Sequence, residues 1–170
     1  MSAGWIKPTG WRPGSARWAW RTYSRVTSRA QYMTAEPIVR ATGASLELSP
    51  LLRERNFGDD RGKSFAEIGP GLFGAEYQPS NGEGTTTFDS RVLKAWEWVV
   101  ASLTGVDGDL AVVTHGLVCR SLCLQCMELQ PGTVVPDIFT NSSLTTIEPN
   151  SPYRVRLLDC AGHLDGLGLP

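Results

Sequence analysis

The stretch from residue 110 to 128 constrains this fold more than any other. Leu110-Ala111-Val112-Val113-Thr114 is an apolar run of strand length that passes directly into His115-Gly116. Residues 117–128 are then apolar with helical spacing. A short apolar run ending in a polar residue, a glycine and a helix reads as a buried strand feeding a crossover. Such a unit needs a sheet beside the strand and helices packed over it.

The remaining periodicities agree. Phe88, Val92, Ala95, Trp96, Val99 and Leu103 repeat at three- and four-residue intervals. They predict a helix over 88–103, with Thr85–Thr87 as candidates for its N-cap. Residues 29–41 predict another helix, interrupted by Pro37 and stopped by Gly43. Leu46–Leu48, Ser143–Ile147 and Tyr153–Leu158 are strand candidates, and Gly105–Gly108 is turn chemistry. A Gly/Pro-rich stretch, 69–84, shows no period and is long for a compact domain, as binding loops often are. Its Gly69-x-Gly71-x-x-Gly74 follows no strand, opens no helix and contains Pro70, so it is no dinucleotide fingerprint.

One domain fits 170 residues, and no apolar run approaches the roughly 20 residues that span a bilayer. The formal charge of −1 predicts no global pull toward nucleic acid or membrane. That balance hides an asymmetry. Lys7, Arg12, Arg17, Arg21, Arg25 and Arg29 precede the first acid, Glu36, and four of six tryptophans fall in the first twenty residues. Residues 1–23 are therefore expected to be a poorly ordered basic tail, and 24–170 the domain. Arginine beside stackable tryptophan suits single-stranded nucleic acid, but the tail carries no pattern, and no nucleic-acid partner is expected. Cys119, Cys123 and Cys126 share one helical stripe with His115 just before it. Structural zinc usually draws on separated ligand pairs, so these cysteines read as core thiols in a reducing, cytoplasmic compartment.

The chemistry concentrates in few residues. His115 stands where a buried strand meets a helix start, the place where open α/β sheets bind ligands and where backbone N–H groups face an anion. His163, near the end, reads as a surface residue. Residues 52–62 crowd six charges and two glycines together. Within them Glu54, between Arg53 and Arg55, is a carboxylate placed for proton transfer beside cations that attract phosphate. Arg29 adds a further phosphate-binding candidate.

Leu52-x-Glu54-Arg55-x-x-Gly58-x-x-x-Gly62, Phe88-x-x-Arg91-Val92 and Val113-Thr114-His115-Gly116-x-Val118-x-Arg120 resemble, in order and spacing, the histidine phosphatase (phosphoglycerate mutase-like) superfamily. Arg29-Ala30 followed by Thr34-Ala35-Glu36 is similar to that family's second-arginine helix. The resemblance implies an α/β three-layer sandwich, with a mainly parallel sheet and helices on both faces. It also implies a phosphomonoester hydrolase or phosphomutase whose histidine nucleophile is phosphorylated while a second histidine and two arginines hold the phosphoryl group. Carried over, Glu54 is the general acid, His115 the second histidine, Arg29 the second arginine, and Arg55 a substrate contact at the pocket edge. Gly116 opens the phosphate-side helix. No cofactor or metal is implied, and the substrate is a phosphorylated small molecule or phosphoprotein.

The sequence departs from the family in one respect. It holds no Arg-His-Gly and no histidine before His115. The expectation is a domain shortened at its N-terminal side and catalytically incomplete as written, or else a non-catalytic phosphate- or partner-binding remnant.

Overall fold

The computed structural model describes residues 2–6, 21–23, 29–104 and 108–165, with side chains from Tyr32 onward. Its centre is a six-stranded sheet. The strands are β1 (Ser2–Ile6), β2 (Arg21–Tyr23), β3 (Ser45–Glu47), β4 (Leu110–Thr114), β5 (Leu144–Ile147) and β6 (Val155–Cys160), in the order β3-β2-β4-β1-β5-β6. β2 pairs in parallel with both β3 and β4, and β1 in parallel with β5. The β1–β4 and β5–β6 pairings are antiparallel. The sheet is therefore mixed, with parallel pairing in the majority.

All five residues of β4 are buried, as their uninterrupted apolar character requires of a strand with neighbours on both edges. Those neighbours correct one expectation. Ser2–Ile6 and Arg21–Tyr23 are strands flanking β4 and do not belong to a loose tail. Ser2 lies opposite Thr114, and Tyr23 opposite Val112. Without these two neighbours β4 would leave N–H and C=O groups unpaired along both buried edges, which is costly. Residues 7–20, with Trp11, Trp18 and Trp20, lie outside the described residues, as does most of the Gly105–Gly108 turn.

Among the described residues four α-helices accompany the sheet: α1 (Arg29–Thr42), α2 (Phe65–Ile68), α3 (Thr85–Leu103) and α4 (Gly116–Cys126). α1 contains Pro37 and ends at Gly43, whose φ of +70° lets its N–H reach Val39 O at 2.8 Å. α3 buries Phe88, Arg91, Val92, Ala95, Trp96 and Val99, the stripe read from the sequence with one arginine added and with Leu103 only half-buried. Its cap differs from the expectation. Gly84 takes the N-cap, so Thr85–Thr87 are the helix's first residues. Thr85 is drawn away because its hydroxyl donates to Gly74 O at 2.7 Å and accepts from Arg55.

The core joins α3, β4 and α4 through Val92, Trp96, Leu110, Val112, Val118 and Leu122, and Tyr153 meets Trp96 edge-on at 4.9 Å. Cys119 and Cys123 pack with Phe139 outside any disulfide, and burial pushes the Cys123 thiol up to about 12. A gap of about 30 Å³ among Trp96, Val112, Cys119 and Ile147 matches one water's share of liquid volume, so it is a packing gap too small for a substrate. Among the described residues no helix is long and apolar enough to cross a membrane.

Candidate active site

The site forms where the end of β4 meets the loop after β3. Three successive carbonyls of that loop are pinned. Arg91 Nη1 donates to Leu51 O at 2.6 Å and to Arg53 O at 2.9 Å. Between them, Thr114 Oγ1 donates to Leu52 O at 2.8 Å. Thr114 is the residue before His115, so one hydroxyl ties the two halves of the site together. The pins leave Glu54 little freedom, and its Oε2 sits 4.0 Å from His115 Nδ1.

Arg91 is itself held by a buried carboxylate. Glu83 accepts from Arg91 Nε at 2.8 Å and Nη2 at 2.7 Å, the two-pronged geometry that a planar guanidinium favours. Both side chains are nearly inaccessible, at 8% and 5% exposure. Gly58, the glycine after Glu54-Arg55 in the motif, has φ +52°, and a Cβ there would lie 2.0 Å from Ser80 O. Only glycine lets the chain at 58 lie against the turn at 80–82.

Arg55 lines the larger cavity beside Glu54 and His115, but its guanidinium is taken up by the protein. Its guanidinium donates to Glu83 O at 2.8 Å, Leu72 O and Tyr77 O at 3.3 Å, and Thr85 Oγ1 at 2.9 Å. Its carbon lies 4.5 Å from the Tyr77 ring centre and 5.4 Å from that of Phe88. A guanidinium so occupied braces the 69–84 loop and has little to offer a ligand. That loop shows no period because its one regular piece is the short 3-10 turn Pro70–Phe73, and turns and the Arg55 side chain share the satisfaction of its carbonyls.

Glu54 and His115 are brought together. Their side chains are 31% and 17% exposed, yet densely surrounded. Burial raises the Glu54 carboxyl above its ordinary range, against N–H donors from Arg55 (2.8 Å) and Leu117 and the charge of Arg91. Burial also pushes His115 down to about 4, with the Arg91 charge acting in the same direction. At neutral pH the imidazole is therefore uncharged, and the 4.0 Å approach is no ion pair. Gly116 opens α4 directly after His115, which is the N-cap residue of that helix. Arg29 opens α1, but its side chain lies outside those described. His163 is exposed, on the turn Gly162–Leu164.

Two cavities meet at this pair, sharing Glu54, Phe57 and His115. One, of about 460 Å³, is lined by Arg53, Arg55, Asn56 and Arg61. The other, of about 200 Å³, is lined by Phe65, Gly116, Leu117, Asp137, Ile138, Phe139 and Asn141. The 137–141 segment was not singled out from the sequence, because it carries no motif. Glu83, the partner of Arg91, was hidden in a loop read as generic, and its only signal was an isolated acid among glycines.

The family model of the histidine phosphatase superfamily (branch 1) matches residues 19–158. A probable phosphatase of Schizosaccharomyces pombe is 34% identical over 136 residues, covering 71% of this chain and 65% of that protein. The chain thus spans somewhat less than two thirds of that relative's length. YhfR of Bacillus stearothermophilus superposes with a TM-score of 0.69 at 21% identity, over 97% of this chain and all of that one. A mycobacterial glucosyl-3-phosphoglycerate phosphatase, solved with inorganic phosphate, superposes with a TM-score of 0.64 at 22% identity, over 85% and 78%. At such identities the two structures speak for a common fold.

Proposed function

The chain belongs to the histidine phosphatase superfamily, and from that premise we propose a phosphatase-like site that binds phosphomonoesters but lacks the covalent step as the chain stands. One observation carries the reading: the Glu54–His115 pair, 4.0 Å apart, at the start of α4 and open to a cavity lined by arginines. The phosphoryl group lies between the His115 imidazole, the first turn of α4 and the arginine-lined cavity. A neutral imidazole donates one hydrogen bond to a phosphate oxygen, and a helix start attracts the same anion. Glu54, its proton affinity raised by burial, faces the bridging oxygen and is the proton donor to a departing alkoxide.

In the complete reaction a nucleophilic nitrogen attacks phosphorus, the P–O bond to the alcohol breaks, and Glu54 protonates the alcohol oxygen. Water then attacks the phosphohistidine and Glu54 takes its proton back. Two imidazoles are needed, one to attack and one to hold. The sequence supplies His115 and His163, and His163 is exposed on its turn. His115 therefore holds, and no second imidazole attacks. The same shortage favours a second reading in which anion binding is itself the activity, directed at a phosphorylated small molecule or phosphoprotein.

Titration with inorganic phosphate, followed by NMR at pH 7, tests the site. Saturable binding that weakens at least tenfold in His115→Ala is expected. Equal affinity in the two proteins would place phosphate elsewhere and overturn the reading.

A further inference from the structure

Resting on the phosphomonoester reading, we propose that the smaller cavity selects esters whose leaving group is apolar, aromatic above all, and rejects those carrying a second anion. The two cavities that meet at Glu54 and His115 differ in kind. Beyond the residues they share, the larger is lined by Arg53, Arg55 and Arg61, the smaller by Phe65, Leu117, Ile138 and Phe139 beside Asp137 and Asn141. A phosphomonoester has the same two ends, one anionic and one organic. Glu54 stands at the junction, where the bridging oxygen between those ends would lie.

The smaller cavity offers a second anion no Lys or Arg side chain among its described lining residues, and its His115 and α4 start are already taken by the phosphoryl group. Among its described lining residues the charged groups are carboxylates, Glu54 and Asp137. The cation nearest in kind, Arg120, donates to Asp137 at 3.0 Å, and its guanidinium carbon lies 4.8 Å from the Phe73 ring centre. Arg120 does not line the cavity. A glycerate-type carboxylate placed there would meet Asp137, whose partner Arg120 lies outside the lining, and would find no lining cation of its own, which is unfavourable.

An aromatic ring finds the opposite. About 200 Å³ exceeds the roughly 150 Å³ of an engineered apolar cavity that holds benzene. Phe65 and Ile138, 39% and 57% exposed, leave apolar surface at the mouth that a ring would cover. Phe65 opens α2, which its own Ser64–Glu67 capping box fixes, so the ring's position does not depend on a ligand.

The test uses probes that cannot be hydrolysed, so it is independent of turnover. Inorganic phosphate, phenylphosphonate and phosphonoacetate are titrated into the full chain at pH 7 by calorimetry. Phenylphosphonate should bind about tenfold tighter than phosphate, from the burial of one ring face, and phosphonoacetate no tighter than phosphate. Phe65→Ala and Ile138→Ala, both at half-exposed positions that leave the core intact, should each shrink the phenylphosphonate-to-phosphate ratio at least threefold. If phosphate binds but phenylphosphonate gains nothing, or phosphonoacetate is the tightest, the selectivity is overturned while the phosphomonoester site stands. If none of the three binds, both fall.

Discussion

The site around Glu54 uses charge in two opposite ways. On one side Arg91 and Glu83 are buried, ionised and fully paired, and Arg55 is locked among four oxygen acceptors. On the other side Glu54 and His115 are half-buried and pushed toward their uncharged forms. The first set gains rigidity from charge. The second keeps its protons available for a ligand. Neighbours in sequence, Glu54 and Arg55, fall on opposite sides of this divide.

The divide is broken most violently from its structural side. Glu83→Ala leaves Arg91 buried without its carboxylate and frees the hold on the Leu51 and Arg53 carbonyls. A destabilisation of about 3–5 kcal/mol is expected by urea unfolding. A loss under about 1 kcal/mol would show that Arg91 finds water or another partner, and that the pinned loop is not the scaffold of the site.

A smaller effect comes from His115 through pH. Its folded pKa, about 4, lies below the ordinary 6.5, so from pH 6.5 down to about 4 the unfolded chain binds a proton that the folded chain refuses. The stability contribution of the neutral imidazole is complete above pH 6.5 and is lost as pH falls through that window, by roughly 3 kcal/mol at most. Glu54 acts oppositely: with a raised folded pKa its contribution is present below 4.5 and lost as pH rises through the folded value. Comparing His115→Asn with the parent protein at pH 7 and pH 4.5 isolates the histidine. The variant should gain on the parent as pH falls. Parallel pH curves would mean that His115 titrates normally and is not held neutral.

Glu54→Gln should be the mildest of the three. The amide keeps an acceptor for the Arg55 and Leu117 N–H groups, and burial already disfavours the charge it removes. A stability change within about 1 kcal/mol at pH 7 is expected. A loss as large as that of Glu83→Ala would place Glu54 among the structural charges and erase the distinction.

What was legible in the sequence follows the same divide. The Leu110–Thr114 strand, the α3 stripe and the His115-Gly116 junction are written in local periodicity, which depends on burial of whole faces. Glu54 and His115 could be paired because the resemblance joined motifs sixty residues apart. Arg55's place beside the pocket could be read from its letters, whereas its bracing contacts with carbonyls at 72, 77 and 83 are announced by no local pattern. Ser2–Ile6 was read as tail because five residues beside prolines and arginines show no period. A strand paired along both edges can draw its stability from β4 and β5 and needs little from its own composition. The threonine pin between Thr114 and Leu52 is a tertiary contact of the same kind.

The central claim is that a single imidazole sits at this site and holds phosphate without attacking it. Hydrolysis of p-nitrophenyl phosphate by the purified chain and by its His115→Ala variant, with trapping of any phosphohistidine, tests it most directly. Removing a nucleophile from a cooperating set can cost on the order of a millionfold in turnover, so the parent should hydrolyse the ester no faster than the variant and trap no phosphohistidine. Robust turnover that disappears in His115→Ala, with phosphate trapped on the parent's imidazole, would contradict the account and make His115 the nucleophile.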